Sequence, residues 1–213
     1  MSLGYRGNDS WRDMSEYLVH LTLDCENWKS ILRSQRLTAG GPFGALSTHK
    51  DHPESQMSCC LSEIPMDYLP RLAERHGRYG VVFRKSFIES SGGQRVWYLE
   101  KESEVADALF SMVKKQHFPR VDENDPLLRL TPFIDYLNER RSFEWEREWR
   151  VVGELDFQPS DVRFLFLPDG EHIDARNYLD SEYEELSGPD LSHAPMIDLR
   201  WSDEKIQQVL TFA

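Results

Sequence analysis

Residues 143–150 read FEWEREWR, and this alternation of aromatic and charged side chains leaves little choice of backbone. In a strand, successive side chains point to opposite faces. Phe143, Trp145, Arg147 and Trp149 then share one face, and Glu144, Glu146, Glu148 and Arg150 share the other. Wound as a helix, the same letters set Glu144 beside Glu148 as a repulsive i,i+4 pair and scatter the aromatics round the axis. The spacing predicts a strand with one acidic face, which is either a solvated edge paired to Arg147 and Arg150 or one wall of a site.

The rest of the chain supplies the elements such a strand must pair with. EYLVHLT, from Glu16, reads as an apolar strand, and Asp24 then caps a helix whose Trp28, Ile31 and Leu32 recur at helical spacing. TAGGPFG ends that helix, MSCCLSEI reads as a strand, and PRLAERHG as a short helix with Pro70 in its first turn and Gly77 past its end. YGVVFRK and QRVWYLE, joined by SSGG, predict a hairpin. Ser103 caps the helix EVADALFSMVKKQ, and Thr131 with Pro132 opens a second one through Ile134 and Leu137. EREWRVVGEL and VRFLFL read as strands. A polar excursion from Pro168 to about Pro195, the strand MIDLRW and a last helix capped by Ser202 complete the chain. The pattern predicts one α+β domain over residues 16–213, with a mixed or antiparallel sheet of about seven strands and segregated helices, behind a flexible segment 1–15.

With 37 acidic against 25 basic residues the formal charge is −12. Nucleic acid and anionic membranes are polyanions, so this balance argues against unselective binding to either, except through a local basic groove. Arg71, Arg75, Arg78, Arg84 and Lys85 form the densest positive cluster. Cys25, Cys59 and Cys60 are too few and too badly spaced for a disulfide framework, which points to a reducing cytoplasm. The opening residues show no secretory pattern, and no apolar run approaches the roughly 18 residues a spanning helix needs. A soluble, cytoplasmic, untargeted protein is expected.

No P-loop, GxGxxG, HExxH, GxSxG or paired CxxC occurs. His49, Asp51, His52 and Glu54 carry metal-ligating side chains, but in a polar loop beside a proline, and no metal is expected there. His20 lies inside an apolar strand with Thr22 at alternate spacing, where a buried structural histidine and a ligand-binding one are both open readings.

The order VHLT, NWKSIL, RLTAGG, CLSEIP, YGVVF, RVWYL, EREWRVV and IDLRWSDEKIQQVL resembles the AbiGi family, the antitoxins of abortive phage-infection systems. It also resembles a larger bacterial family with a YG…F…V.Y core and an E-x-E-x-R strand. Both groups are similar to the ADP-ribosyltransferase fold, and HLTLDCENWKSILRSQRLTAGG looks like the opening of toxin-type DNA ADP-ribosyltransferases. The resemblance implies an NAD site. His20 and Thr22 would hold the ribose, Ser62 would stand in the middle motif, Tyr79 would stack on nicotinamide, and Glu146 with Glu148 would form the catalytic pair. The middle motif departs from the family's Ser-Thr-Ser.

Cleavage of the nicotinamide–ribose bond builds positive charge on the sugar, so Glu148 beneath it would stabilise the transition state. Arg150 has two open roles: counter-charge to the diphosphate, or ion-pair partner that ties Glu148 up. Three functional readings follow. The first is an NAD-dependent ADP-ribosyltransferase-like enzyme, and the second a non-catalytic antitoxin or sensor that binds a cognate toxin or other defence-system protein. The third is a hydrolase or nuclease that gathers Glu144, Glu146 and Glu148 round a divalent metal.

Overall fold

The computed structural model describes residues 14–47, 54–63, 68–116, 126–137, 144–186, 188 and 190–212. The expected flexible start falls almost wholly outside these residues, as do His49, Asp51 and His52. In chain order the elements are β1 (Tyr17–Thr22), α1 (Cys25–Ser34), β2 (Arg36–Leu37), β3 (Ser58–Ser62), α2 (Leu69–His76), β4 (Tyr79–Arg84) and α3 (Lys85–Ser90). There follow β5 (Gln94–Arg95), β6 (Trp97–Glu100), α4 (Glu104–Gln116), α5 (Pro126–Leu130), β7 (Ile134–Leu137), β8 (Glu148–Val152) and β9 (Leu155–Asp156). Last come β10 (Val162–Phe166), α6 (His172–Leu186), β11 (Met196–Ile197) and α7 (Asp203–Phe212).

The chain gathers into two compact units. One is built from residues up to 37, 61–90 and 156 onward, the other from 38–60 and 91–155. Seven strands make up the main mixed sheet: β11, β10, β4 and β1 in the first unit, β8 and β5 in the second, and β3, whose residues belong to both.

In the first unit β1 and β4 pair antiparallel from Tyr17↔Arg84 to Thr22↔Tyr79, β10 lies antiparallel on β4, and β11 parallel on β10. Residues directly opposite share a face, so Leu18, His20 and Thr22 stand with Phe83, Val81 and Tyr79, while Tyr17, Val19 and Leu21 stand with Arg84, Val82 and Gly80. The second face carries Phe164 and Phe166 and meets Leu69 of α2. Leu18, Val81, Val82, Phe83, Phe164, Leu165 and Phe166 are all buried. Asp24 caps α1 through its side chain on Asn27 N–H at 2.8 Å, and the buried Trp28 donates its indole N–H to Gly80 O at 3.2 Å. Of the basic cluster, Lys85 is buried against Glu63 at 2.7 Å and Arg78 reaches Asp198 at 2.9 Å, so these two charges are consumed inside the fold.

In the second unit β6 pairs parallel with β7, which puts Tyr98 beside Asp135 on one face and Leu99 beside Tyr136 on the other. Leu99 and Ile134 pack against Ala106 of α4, with Leu109 against them.

Several expectations are corrected. YGVVFRK and QRVWYLE do not form a hairpin: KSFIES between them folds as α3, with Ile88 buried and Phe87 stacked 5.6 Å from Phe83. The helix expected through Ile134 and Leu137 stops at a 3-10 turn, Thr131–Phe133, because β6 offers Ile134–Leu137 a strand partner. The excursion after Pro168 contains α6, whose inward positions Ala175, Leu179 and Glu182 make too weak an apolar stripe to signal a helix. MIDLRW is extended only over Met196–Ile197.

Gly77 ends α2 at φ 99°, where an added Cβ would lie 2.1 Å from Thr22 O. Gly77→Ala should therefore lower the unfolding free energy by about 1–3 kcal/mol. A urea midpoint equal to that of wild type would contradict this turn.

Candidate functional site

The acidic ladder is broken. Glu144–Glu146 form a 3-10 turn, Arg147 takes a positive φ of 45°, and the strand begins only at Glu148. The left-handed residue interrupts the alternation, so the three glutamates do not share a strand face. Glu146 is buried in the turn, and Glu144 is exposed.

What β8 does present on one face is Glu148 and Arg150, both in the second unit. Arg150 is buried. Its Nε donates to Glu148 Oε1 at 2.7 Å, and one terminal nitrogen donates to Glu148 Oε2 at 3.1 Å and Asp135 Oδ2 at 2.9 Å. The other terminal nitrogen donates to Pro132 O at 2.6 Å, and the guanidinium lies 5.0 Å from the Phe43 ring centroid. Glu148 Oε2 also accepts from the Tyr98 hydroxyl, and the carboxylate accepts from the Cys60 thiol. A fork-on-fork arginine–carboxylate pair is among the strongest polar contacts available to a protein. Every element round it has a reason to be there: the parallel β6–β7 register delivers Tyr98 and Asp135 to one face, and the Thr131–Phe133 turn aims the Pro132 carbonyl inward.

Burial opposes ionisation of Glu148, but the Arg150 guanidinium, with help from Tyr98 and Cys60, outweighs it and holds the carboxyl below the ordinary glutamate range. Burial, and then the Glu148 charge, push both Tyr98 and Cys60 upward, so the tyrosine stays a donor and the thiol is no nucleophile. Cys59, on the other face of β3, is pushed up to about 11 by burial. The chemistry of this centre is that of a closed polar clasp.

The remaining sequence-predicted residues lie in the first unit. His20, Thr22 and Tyr79 share one face of the β1–β4 pair, and Thr22 stands directly opposite Tyr79. The Tyr79 hydroxyl donates to both oxygens of Glu171, at 3.0 and 2.8 Å, and burial followed by that carboxylate pushes it up to about 12. Ser62 is not brought to them: it pairs with Val19, whose side chain points to the opposite face, and it lines a shallow depression with Tyr17, Leu69 and Phe164. His20 and Glu148 fall in different units. Sequence reasoning missed Tyr98 and Cys60 as partners of Glu148, and Asp135 as a partner of Arg150. Asp135 was hidden because its segment was read as helical, and Tyr98 because the strand that carries it was paired with the wrong neighbour.

Among the described residues no group of three or more His, Cys, Asp and Glu side chains could hold a metal ion. No helix among them is long and apolar enough to cross a membrane.

A family model described as "Putative abortive phage resistance protein AbiGi, antitoxin" matches residues 45–176, more than half of the chain. The chain belongs to the AbiGi family. No curated protein and no solved structure matches it. The AbiGi match takes in the whole Glu148–Arg150 clasp and its partners Cys60, Tyr98, Pro132 and Asp135, together with Ser62 and Tyr79. Phe43, His20 and Thr22 lie before it.

Removing one member of a buried, hydrogen-bonded ion pair strands the other, so Arg150→Ala should cost about 3–5 kcal/mol of stability by urea unfolding. The Glu148 carboxyl is depressed in the folded state. Its contribution is therefore full above roughly pH 4.3, the ordinary glutamate value, and is withdrawn as pH falls further. Glu148→Gln should flatten that acid limb of the stability curve, and a limb as steep as in wild type would show that another carboxylate controls it.

Proposed function

We propose that this AbiGi chain works by binding rather than by catalysis, as the antitoxin of an abortive-infection pair that holds a toxin protein in a complex. The observation that carries the reading is the state of Glu148. A carboxylate that stabilises an oxocarbenium-like sugar must offer an oxygen to the substrate. Here one oxygen accepts from Arg150 Nε and the other from Arg150 and Tyr98. Opening that clasp would leave a buried guanidinium short of partners, which costs far more than surface ion-pair rearrangement. The family description, abortive phage resistance and antitoxin, supports the same reading.

A second reading rests on His20, Thr22 and Tyr79, which share a face as a ribose and nicotinamide platform would require. In it the chain is an NAD-binding, ADP-ribosyltransferase-like protein of phage defence, with Glu148 and Glu146 as the catalytic pair, Arg150 as counter-charge and Ser62 in the middle motif. It needs Arg150 to release Glu148 when NAD enters.

The two readings part on one measurement. Incubated with labelled NAD, wild type and Glu148→Gln should both leave the label in NAD, while wild type still protects cells that express the toxin. Release of nicotinamide by wild type, lost in Glu148→Gln, would replace the binding reading with the enzymatic one.

A further inference from the structure

Residues 40–45 read GGPFGA and run over the Glu148–Arg150 clasp in the second unit. Hydrogen bonds to Glu148, Asp135 and the Pro132 carbonyl take the edges of the Arg150 guanidinium, and Phe43 lies over it, with Cζ 5.0 Å from the ring centroid. Both ends of the segment are pinned. Gly40 exchanges backbone hydrogen bonds with Ser58 at 2.9 and 3.0 Å, and Ala45 N–H donates to Thr131 O at 3.0 Å. Between these pins Phe43 N–H donates to Gln56 O at 2.9 Å.

The segment also meets the clasp through Thr131. This residue precedes Pro132, whose carbonyl accepts from Arg150, and its hydroxyl donates to the Gln56 side-chain oxygen at 3.2 Å. Gln56 and Thr131 are both buried. Gly44, at φ 88°, sits so close to this turn that an added Cβ would lie 2.0 Å from Thr131 O. At Gly41, with φ 101°, an added Cβ would lie 2.6 Å from Phe43 Cδ2. Two left-handed glycines therefore bracket Phe43, each placed where the backbone turns about a pinned neighbour at little steric cost. Gly40, Gly41 and Pro42 are exposed, while Phe43 is half-buried.

The contacts on Arg150 differ in strength. Those to Glu148 and Asp135 are charge-assisted hydrogen bonds between ions. Those that hold Phe43 are a neutral amide bond and a ring contact on a cation, both weaker. The segment gives way before the ion pair does.

We propose that residues 41–44 form a latch on the clasp: lifting the Phe43 ring is the step that opens Arg150 and Glu148 to solvent, and it precedes any parting of the ion pair. The latch presupposes the closed Glu148 clasp on which the binding reading rests. It makes the state of a buried ion pair answerable to the surface, because exposed Gly41 and Pro42 lead directly into the ring.

The test follows the Arg150 Nε–H of the full chain by nuclear magnetic resonance, as its rate of exchange with water. A buried, hydrogen-bonded proton exchanges only through an opening, at a rate set by the population of the open form. In wild type it should exchange at least about a hundredfold more slowly than the Nε–H of exposed Arg129. Phe43→Ala should speed it by about tenfold or more, and Gly41→Ala, which displaces the ring from the surface side, by about threefold or more. Tyr98→Phe removes a bond from Glu148 and leaves the latch whole, so it should change the rate by less than about twofold. Gly41→Ala decides the matter if Phe43→Ala fails to fold. If the folded latch variants exchange at the wild-type rate, or Tyr98→Phe speeds exchange as much as they do, the latch is wrong and the closed clasp stands. If wild type exchanges as fast as Arg129, the clasp is open, and the latch and the binding reading fall together.

Discussion

A guanidinium cannot shed its proton inside a protein, so the burial of Arg150 obliges the second unit to surround it with acceptors. Glu148 in β8, and Asp135 and the Pro132 carbonyl in the stretch where the 3-10 turn runs into β7, meet that demand. The parallel pairing of β6 with β7, the 3-10 turn before β7 and the late start of β8 all read as conditions for closing this one set of hydrogen bonds. A charge pair of this kind adds less to stability than its geometry suggests, because both ions lose their water. A one-residue slip of β8 would turn Glu148 and Arg150 to the other face and break this set, so the pair also specifies register.

The first unit is organised differently. Its sheet is held by apolar filling on both faces, with Phe83 against Phe157 at 5.1 Å on one and Tyr17 against Phe164 at 5.2 Å on the other. Charges here act at the margins: Arg33 joins α1 to α6, and Asp198 accepts from Arg78 and from the backbone N–H groups of Asp169 and Arg200. Such a frame leaves helix sides free to face outward without loss of core.

Much of this was legible from local patterns. β1, α1 with its Asp24 cap, α2 between Pro70 and Gly77, β4, α4 behind Ser103 and α7 behind Ser202 each carry a periodicity and a start or stop signal of their own. The failures share a cause. α3, β7 and α6 lack an internal signal strong enough to outvote their composition, and each takes its form from a neighbour: Phe83 for α3, β6 for β7, α1 and the Leu191–Ala194 loop for α6. The alternation in FEWEREWR was a true strand signal only from Glu148 onward, because the turn over Glu144–Glu146 and the single left-handed residue at Arg147 are invisible to a count of faces.

The sequence by itself determined the strands and helices with strong periods, the acidic balance, and the likeness to AbiGi, since all of these are sums over short stretches of chain. It left open which partners the Arg150 guanidinium takes. Only the tertiary structure shows it on Glu148 and Asp135. The choice depends on Asp135, Tyr98, Cys60 and the Pro132 carbonyl arriving together from positions up to 90 residues away (150 − 60 = 90), and the folding of several strands at once carries information that no single window of residues contains.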